Sequence, residues 1–383
     1  MKKYVRVIFF SIIILLVMPI PVFSMEFDVN AKSAILIDAN SGEVIYEKNS
    51  HEKLPMASVT KIMTMLLAME AIESRHIALT DIITISPRSA SMGGSQLYME
   101  EGEQQSLETL MKGISICSAN DACVAVGEHI AGTEEVFVKK MNEKAEALGM
   151  INTNFVNTNG LPAEGHYSSA YDISIMSREL LKYPKIHEWL TTWMASIKVG
   201  LQTKEQTDLE ITNTNRLIKT YPGANGIKTG YTGEAGYCLS ASATKGNMTL
   251  ISVVLGSPTS KIRFDESSKL LDYGFAAYES INIAGENQIM GKIKVDKGNL
   301  ESVNGISGNN ISILVKKEEK QSISKEIHIE ENISAPLKKG DIVGEIIIFK
   351  NDEIYKTYPI ICEKDVERAG IFTLYFKLFR NII

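Results

Sequence analysis

The chain has 383 residues, 44% of them hydrophobic and 22% charged, and a formal net charge of −6. This is ordinary globular composition with room for two domains; it excludes a disordered chain, and the acidic balance argues against nucleic acid as a partner. The four cysteines, Cys117, Cys123, Cys238 and Cys362, lack metal-ligand spacing, so they indicate neither a disulfide framework nor a zinc site and read as core thiols; no metal and no cofactor is implied.

The N-terminal stretch carries Lys2, Lys3 and Arg6, then an apolar run over 7–20, then Pro21-Val22-Phe23-Ser24. It reads as a secretory signal peptide over 1–24, the apolar run being shorter than the ~20 residues that spanning needs, with an uncleaved anchor as the alternative. Its removal takes away three positive charges and no negative ones, moving the net charge from −6 to −9. Next, 34–38 and 43–46 flank Ala39-Asn40-Ser41-Gly42 as strand, turn and strand.

Ser58-Val59-Thr60-Lys61 then opens an apolar helix reaching about Ser74, limited at its start by Pro55. A serine and a lysine three apart on a helix share one face, which pairs a nucleophile with a base, and the helix dipole favours charge developing on a first-turn serine. The same spacing recurs at Ser50/Lys53, Ser242/Lys245 and Ser322/Lys325, but in a polar loop and in β-like stretches where residues three apart point to opposite faces.

A Gly-containing segment, 91–95, leads to a helix through Leu107, Leu110, Met111 and Ile114 that stops at Ser118-Ala119-Asn120; helices over 121–130 and 134–148 follow. Ser118 and Asn120 would lie about 200° apart on a helix, so both reach one site only if the chain turns there; the other reading is an ordinary helix N-cap. Residues 152–166 are polar and turn-rich, and Asp172 starts a helix through Ile173, Met176 and Leu180. Runs over 237–244 and 248–255, joined by Lys245-Gly246-Asn247, form a hairpin that Lys228-Thr229-Gly230 borders. A lysine beside glycine on such a strand holds an anionic group while substrate backbone approaches; a solvated strand lysine before a turn is the alternative. A last helix spans 263–278.

Beyond Ile281 short β-rich runs (311–315, 342–349, 353–358) alternate with polar turns, a second, all-β domain without catalytic residue types. Residues 363–383 are helical in pattern, with Thr373, Lys377, Arg380 and Asn381 as a polar stripe among large apolar side chains, which suits a membrane surface; a helix docked on the protein's own core is the other reading. The boundaries are therefore 1–24, 25–279, 280–362 and 363–383.

With Ser58-Val59-Thr60-Lys61, Ser118-Ala119-Asn120 and Lys228-Thr229-Gly230 in that order, the chain resembles the penicillin-recognising serine enzymes, and more closely the D-alanyl-D-alanine carboxypeptidases, the low-molecular-mass penicillin-binding proteins. The resemblance covers nearly the whole chain, including the β domain and the tail. It implies an α+β fold of the β-lactamase/transpeptidase type, an antiparallel sheet flanked by helices, followed by a small all-β domain. The implied substrates are peptidoglycan stem peptides ending in D-Ala-D-Ala, with β-lactams as covalent inhibitors, at the outer face of the cytoplasmic membrane.

The resemblance implies that Ser58 attacks the carbonyl between two D-alanines, that Lys61 takes its proton and that Ser118 passes a proton to the leaving amine. Asn120 would orient substrate and Lys61, Lys228 would supply positive potential, and Thr229 and Arg263 would bind the terminal carboxylate. Gly230 would let substrate approach, and the backbone N–H groups of Ser58 and Tyr231 would hold the oxyanion. Tyr231 and Asn159 each stand where many relatives have histidine, which leaves fine substrate preference open. A β-lactamase would need a water-activating carboxylate, and no Glu-x-x-Leu-Asn occurs between 134 and 172. The intact Ser58, Lys61 and Lys228 argue against a silent wall- or β-lactam-binding sensor.

Overall fold

The computed structural model describes residues 28–331 and 333–371; the stretch 1–24 read as a signal peptide and the greater part of the apolar tail lie outside the described residues. Strand β1 (Ser33–Asp38) and strand β2 (Val44–Lys48) form the hairpin read from the sequence. They join β3 (Ala224–Thr232), β4 (Gly236–Lys245) and β5 (Met248–Ser257) in an antiparallel sheet of order β2-β1-β5-β4-β3. In that register Ile35 faces Val253 and Lys228 faces Ser240. Strand alternation builds two cores. Ile35, Ile37, Ile251 and Val253 join one, while Ala34, Leu36, Leu250 and Val254 join the other with Leu270 and Leu271 of the helix Ser260–Ala277.

The first core is filled by helix α1 (Lys61–Glu73), where Ile62, Met63, Met65, Leu66, Ala68 and Met69 are all buried. A helix apolar on nearly every side belongs inside a domain. It is surrounded by α2 (Leu107–Ile116), α3 (Asn120–Ala131), α4 (Glu134–Ala147) and α5 (Ala170–Leu180). Each large apolar side chain of α1 contributes about 1.5–3 kcal/mol on burial. That offsets the cost of burying the amine of Lys61, the first residue of α1, which is of order 3 kcal/mol for a pKa brought from 10.5 to about 8.

Beyond Ser260–Ala277 the described residues are mainly β, broken by a 3-10 turn at Lys317–Ser322, with a six-stranded sheet that contains Ile342–Lys350 and Glu353–Cys362 and a third core that includes Val343, Ile346, Ile348 and Ile360. It touches the first sheet's hairpin, where Glu43 accepts hydrogen bonds from Lys356 Nζ at 2.5 Å and Tyr355 Oη at 3.2 Å.

One expectation is corrected. Residues 363–370 do not continue as helix; Val366 bridges to Leu337 and Arg368 to Gly298, and Val366 is buried in the core of the β unit. The pattern there is too sparse in apolar residues to prefer a helix, and burying Val366 between strands wins. The stripe residues Thr373, Lys377, Arg380 and Asn381 lie outside the described residues. Sequence reading also passed over the helix Pro184–Leu190 and the hairpin of Met194–Val199 with Thr207–Thr212.

Candidate active site

Ser58 sits in a single 3-10 turn, Ala57–Thr60, that leads into α1. Its neighbours Ala57, Val59 and Thr60 are buried while Ser58 itself is half-buried, so one face of the turn opens to solvent. Ala57, with φ at +49°, adopts the left-handed region, a costly conformation for a residue with a Cβ.

Lys61 is fully buried, and its Nζ donates to Ser58 Oγ at 3.0 Å, Asn120 Oδ1 at 2.7 Å and the Asn159 backbone carbonyl at 2.7 Å. Burial pushes its pKa down to about 8. Lys228 on β3 is equally buried, with Nζ 3.1 Å from the Thr229 carbonyl; burial and then the Lys61 charge push it down to about 7. Two buried amines thus lie near one another, which disfavours carrying both charges.

The chain does turn between Ser118 and Asn120. Ser118 has φ at +68° and ends the connection from α2 to α3, and its buried Oγ has no protein partner among the described residues. Asn120 opens α3; its N–H donates to the Ser95 carbonyl and its Nδ2 to the Gly93 carbonyl, at 2.7 and 2.6 Å. The next residue, Asp121, is buried and accepts from the N–H groups of Leu97, Met99 and Ala122, which ties the 93–99 loop over Asn120. Burial raises its pKa against those hydrogen bonds.

On β3, at the sheet edge, Thr229 Oγ1 donates to Thr214 Oγ1 at 2.7 Å. A Cβ on Gly230 would stand 2.8 Å from the Met56 carbonyl oxygen and 3.1 Å from the Ser58 nitrogen, so only glycine allows this approach between strand and turn. The Gly230 carbonyl accepts from Arg263 Nη1 at 2.9 Å. The Arg263 guanidinium lies against the rings of Tyr237 and Phe264, its Nε is without a protein partner among the described residues, and burial lowers its pKa to about 10. Beside Thr214 and Arg263 a cavity of about 540 Å³ is also lined by Trp193, Asn213 and Arg216. Tyr231 is exposed and stacks on Tyr237 with ring centroids 4.3 Å apart.

The structure therefore gathers Ser58, Lys61, Asn120 and Gly230 directly, sets Lys228 near Lys61, and places Thr229 on the strand with Arg263 of the helix Ser260–Ala277 reaching the Gly230 carbonyl beside it. Cys117 and Cys123 are pushed up to about 11 and 12, chiefly by burial, so both are thiols at neutral pH and do not compete with Ser58. Sequence reading missed the Asn159 carbonyl, which as a backbone atom has no residue signature, and Thr214, a single threonine outside any motif. It also missed Gly160, whose Cβ would lie 1.9 Å from the Ala57 carbonyl oxygen.

Residues 21–259 match the family model of D-alanyl-D-alanine carboxypeptidase, and 278–368 match that of the penicillin-binding protein 5 C-terminal domain. D-alanyl-D-alanine carboxypeptidase DacF of Bacillus subtilis (strain 168) is 48% identical over 346 residues, covering 90% of this chain and 87% of that one. Penicillin binding protein 5 from Haemophilus influenzae matches with a TM-score of 0.76 at 30% identity, over 89% of this chain and 98% of its own. Penicillin-Binding Protein D2 from Listeria monocytogenes, in its ampicillin-bound form, matches with a TM-score of 0.57 at 29% identity, over 65% of this chain and 99% of its own.

Proposed function

The chain belongs to the D-alanyl-D-alanine carboxypeptidase family, and from that premise we propose how its residues divide the work. It is a serine-type peptidase of that family, a penicillin-binding protein acting on peptidoglycan outside the cytoplasm. The observation that carries the assignment of roles is the contact of the buried Lys61 amine with Ser58 Oγ at 3.0 Å.

Ser58 Oγ attacks the carbonyl carbon of the penultimate D-alanine as its proton passes to neutral Lys61 Nζ. The N–H groups of Ser58 and Tyr231 receive the oxyanion that forms. Ser118 hands its hydroxyl proton to the leaving nitrogen, the C–N bond breaks and the terminal D-alanine departs, and the proton held by Lys61 passes to the Ser118 oxygen, which leaves Lys61 neutral again. Water then attacks the ester; Lys61 takes a proton from the water, and one returns to Ser58 Oγ. Lys228, Thr229 and Arg263, with the cavity beside Thr214, draw in the terminal carboxylate, and Asn120 orients substrate and Lys61. A β-lactam keeps its leaving nitrogen tethered, so the adduct on Ser58 persists. Mass spectrometry after a penicillin pulse, and after a D-Ala-D-Ala peptide, tests this: a persistent adduct that Ser58→Ala abolishes is expected. Rapid release of hydrolysed drug would make the protein a β-lactamase, and labelling of Ser58→Ala would remove Ser58 as nucleophile.

The domains are proposed as a catalytic unit over 25–279 and an all-β unit over 280–362. Residues 371–383 are proposed to hold the enzyme on the outer face of the membrane. Nine large apolar side chains there, at ~1.5 kcal/mol or more each, outweigh the ~1–2 kcal/mol from Lys377 and Arg380 near anionic lipid. Because Val366 belongs to the core of the β unit, the truncation that tests this ends at Gly370. It is expected to be soluble and active, whereas the full chain resists salt extraction and yields to detergent; a truncated form that stays with membranes refutes the proposal.

A further inference from the structure

The nucleophile's turn is braced by a hydrogen-bonded relay that shares only Thr60 with the three motifs. His166 is buried, and its Nδ1 accepts from the Val156 N–H at 3.0 Å. A neutral imidazole that accepts at Nδ1 carries its hydrogen on Nε2. Nε2 lies 2.8 Å from Thr60 Oγ1, so it donates there, and Thr60 Oγ1 in turn donates to the Ala57 carbonyl at 2.8 Å. Each link uses the one hydrogen its donor has, so the direction of the chain, from Val156 to Ala57, is fixed throughout. Burial lowers the His166 pKa to about 4, so the ring stays neutral at neutral pH.

Ala57 is the residue that needs bracing. Its left-handed φ of +49° immediately precedes Ser58, and such a conformation persists only where the surroundings over-determine it. Two contacts converge on its carbonyl: the Thr60 hydroxyl, and Gly160, whose missing Cβ leaves room that no other residue would. Phe155 meets the His166 ring edge-on at 6.1 Å between centroids, which holds the imidazole from its other side. The relay therefore joins the 152–169 loop to the backbone that aims Ser58, whereas Asn159 joins the same loop to Lys61. One loop sets both nucleophile and base.

We propose that His166, acting through Thr60 on the strained Ala57, is a positioning residue for Ser58 that sets the rate of acylation without contributing to substrate affinity. This rests on Ser58 being the nucleophile. Neither His166 nor Thr60 contacts the Lys61 amine or the proposed carboxylate site by any hydrogen bond among the described residues, so loss of the relay tilts Ser58 Oγ and leaves the binding groups in place. Misplacement of a reacting atom by a fraction of an ångström to an ångström is worth about tenfold to a hundredfold in rate.

The test is stopped-flow acylation by a fluorescent penicillin, which separates the limiting acylation rate from the affinity of the preceding complex. Thr60→Val, isosteric but without the hydroxyl, is expected to lower the limiting rate about tenfold to a hundredfold with affinity held within about twofold, and so is His166→Leu. Thr60→Ser restores the hydroxyl and should recover the rate to within about threefold of the parent. The double variant should be no slower than the slower single one, because the two residues act in series.

A limiting rate in Thr60→Val within threefold of the parent overturns the proposal, as do a loss confined to affinity and losses that multiply in the double variant. If His166→Leu fails to fold, as judged by near-UV circular dichroism, the Thr60→Val and Thr60→Ser pair decides alone. Ser58→Ala run in parallel separates the readings. An adduct that survives it means the nucleophile was misassigned; a silent Ser58→Ala beside an unaffected Thr60→Val means that only the relay is wrong.

Discussion

Replacing Gly160 by alanine is the sharpest probe of how the loop and the nucleophile's turn fit together. The added Cβ would lie 1.9 Å from the Ala57 carbonyl oxygen and 2.8 Å from Thr60 Oγ1, and real Cβ contacts do not fall below 3.0 Å. Loop and turn must therefore part by about 1.1 Å. Taken up along the Lys61–Asn159 line, that lengthens the 2.7 Å bond to about 3.8 Å, beyond hydrogen-bond range. A buried hydrogen bond to a charged group is worth about 1.5–3 kcal/mol, and alanine at φ +86° adds about 1 kcal/mol of backbone strain. The expected loss of stability is thus about 2–4 kcal/mol, read by urea unfolding, and acylation should slow by about a hundredfold or more. Gly149→Ala is the matched control: φ is +74° there, but no atom lies within 4 Å of the added Cβ. It should cost about 1 kcal/mol and leave acylation unchanged. Acylation by Gly160→Ala within threefold of the parent would show that the loop yields without moving the Asn159 carbonyl, and the reasoning would fail.

Further outcomes follow from the two buried amines. Acylation should rise with pH toward a plateau above about 8, because Lys61 accepts the Ser58 proton only when neutral and burial has lowered its pKa to that value; a rate independent of pH between 6 and 9 would contradict this. Lys61→Arg keeps the charge but cannot release a proton, so acylation should be abolished; near-normal labelling would leave lysine only a field effect. At pH 8, where Lys228 with its pKa near 7 is mostly neutral, an incoming carboxylate restores its charge, so a D-Ala-D-Ala peptide should bind Ser58→Ala with proton uptake. Calorimetry in buffers of different ionisation enthalpy reads this directly, and no buffer dependence would refute it. Glu43→Ala removes the carboxylate that Lys356 and Tyr355 share, and should leave acylation unchanged while exposing the strand Tyr278–Ala284, where the β unit begins, to protease; equal cleavage rates would dismiss that contact as a clamp.

Sequence carried the site where side-chain type carries chemistry. Ser58 and Lys61 were legible from helical spacing, and the turn at Ser118 from the need to bring Asn120 to the same place. Strand alternation put Lys228 and Thr229 on opposite faces; in the structure Lys228 Nζ turns back to the Thr229 carbonyl while Thr229 Oγ1 reaches Thr214, a detail that period alone does not specify. Asn159 showed only as a departure from histidine, because the atom it contributes is a backbone carbonyl. His166 and Thr60 were illegible for another reason: their partnership spans 106 residues and follows no local period. The tail failed over 363–370, where pairing of Val366 with Leu337, far away in sequence, overrode local pattern.

The order of strands has a consequence for the chain as it is made. β1 and its partner β5 are separated by the whole helical half of the catalytic unit, since Ile35 pairs with Val253. Synthesis from the N-terminus therefore presents β1 with an open edge until the ribosome has passed β5, and a waiting edge invites pairing with other chains. The Ser58 turn is complete in sequence within the first sixth of the polypeptide, yet Gly230 and Lys228 close over it only when the last hairpin docks. Loop closure on that scale makes sheet assembly a slow, late event of folding, so until then the Ser58 turn lacks Gly230 and Lys228 beside it. On the proposed role of Ser58, competence to cleave, or to be poisoned by penicillin, begins only when that edge is sealed.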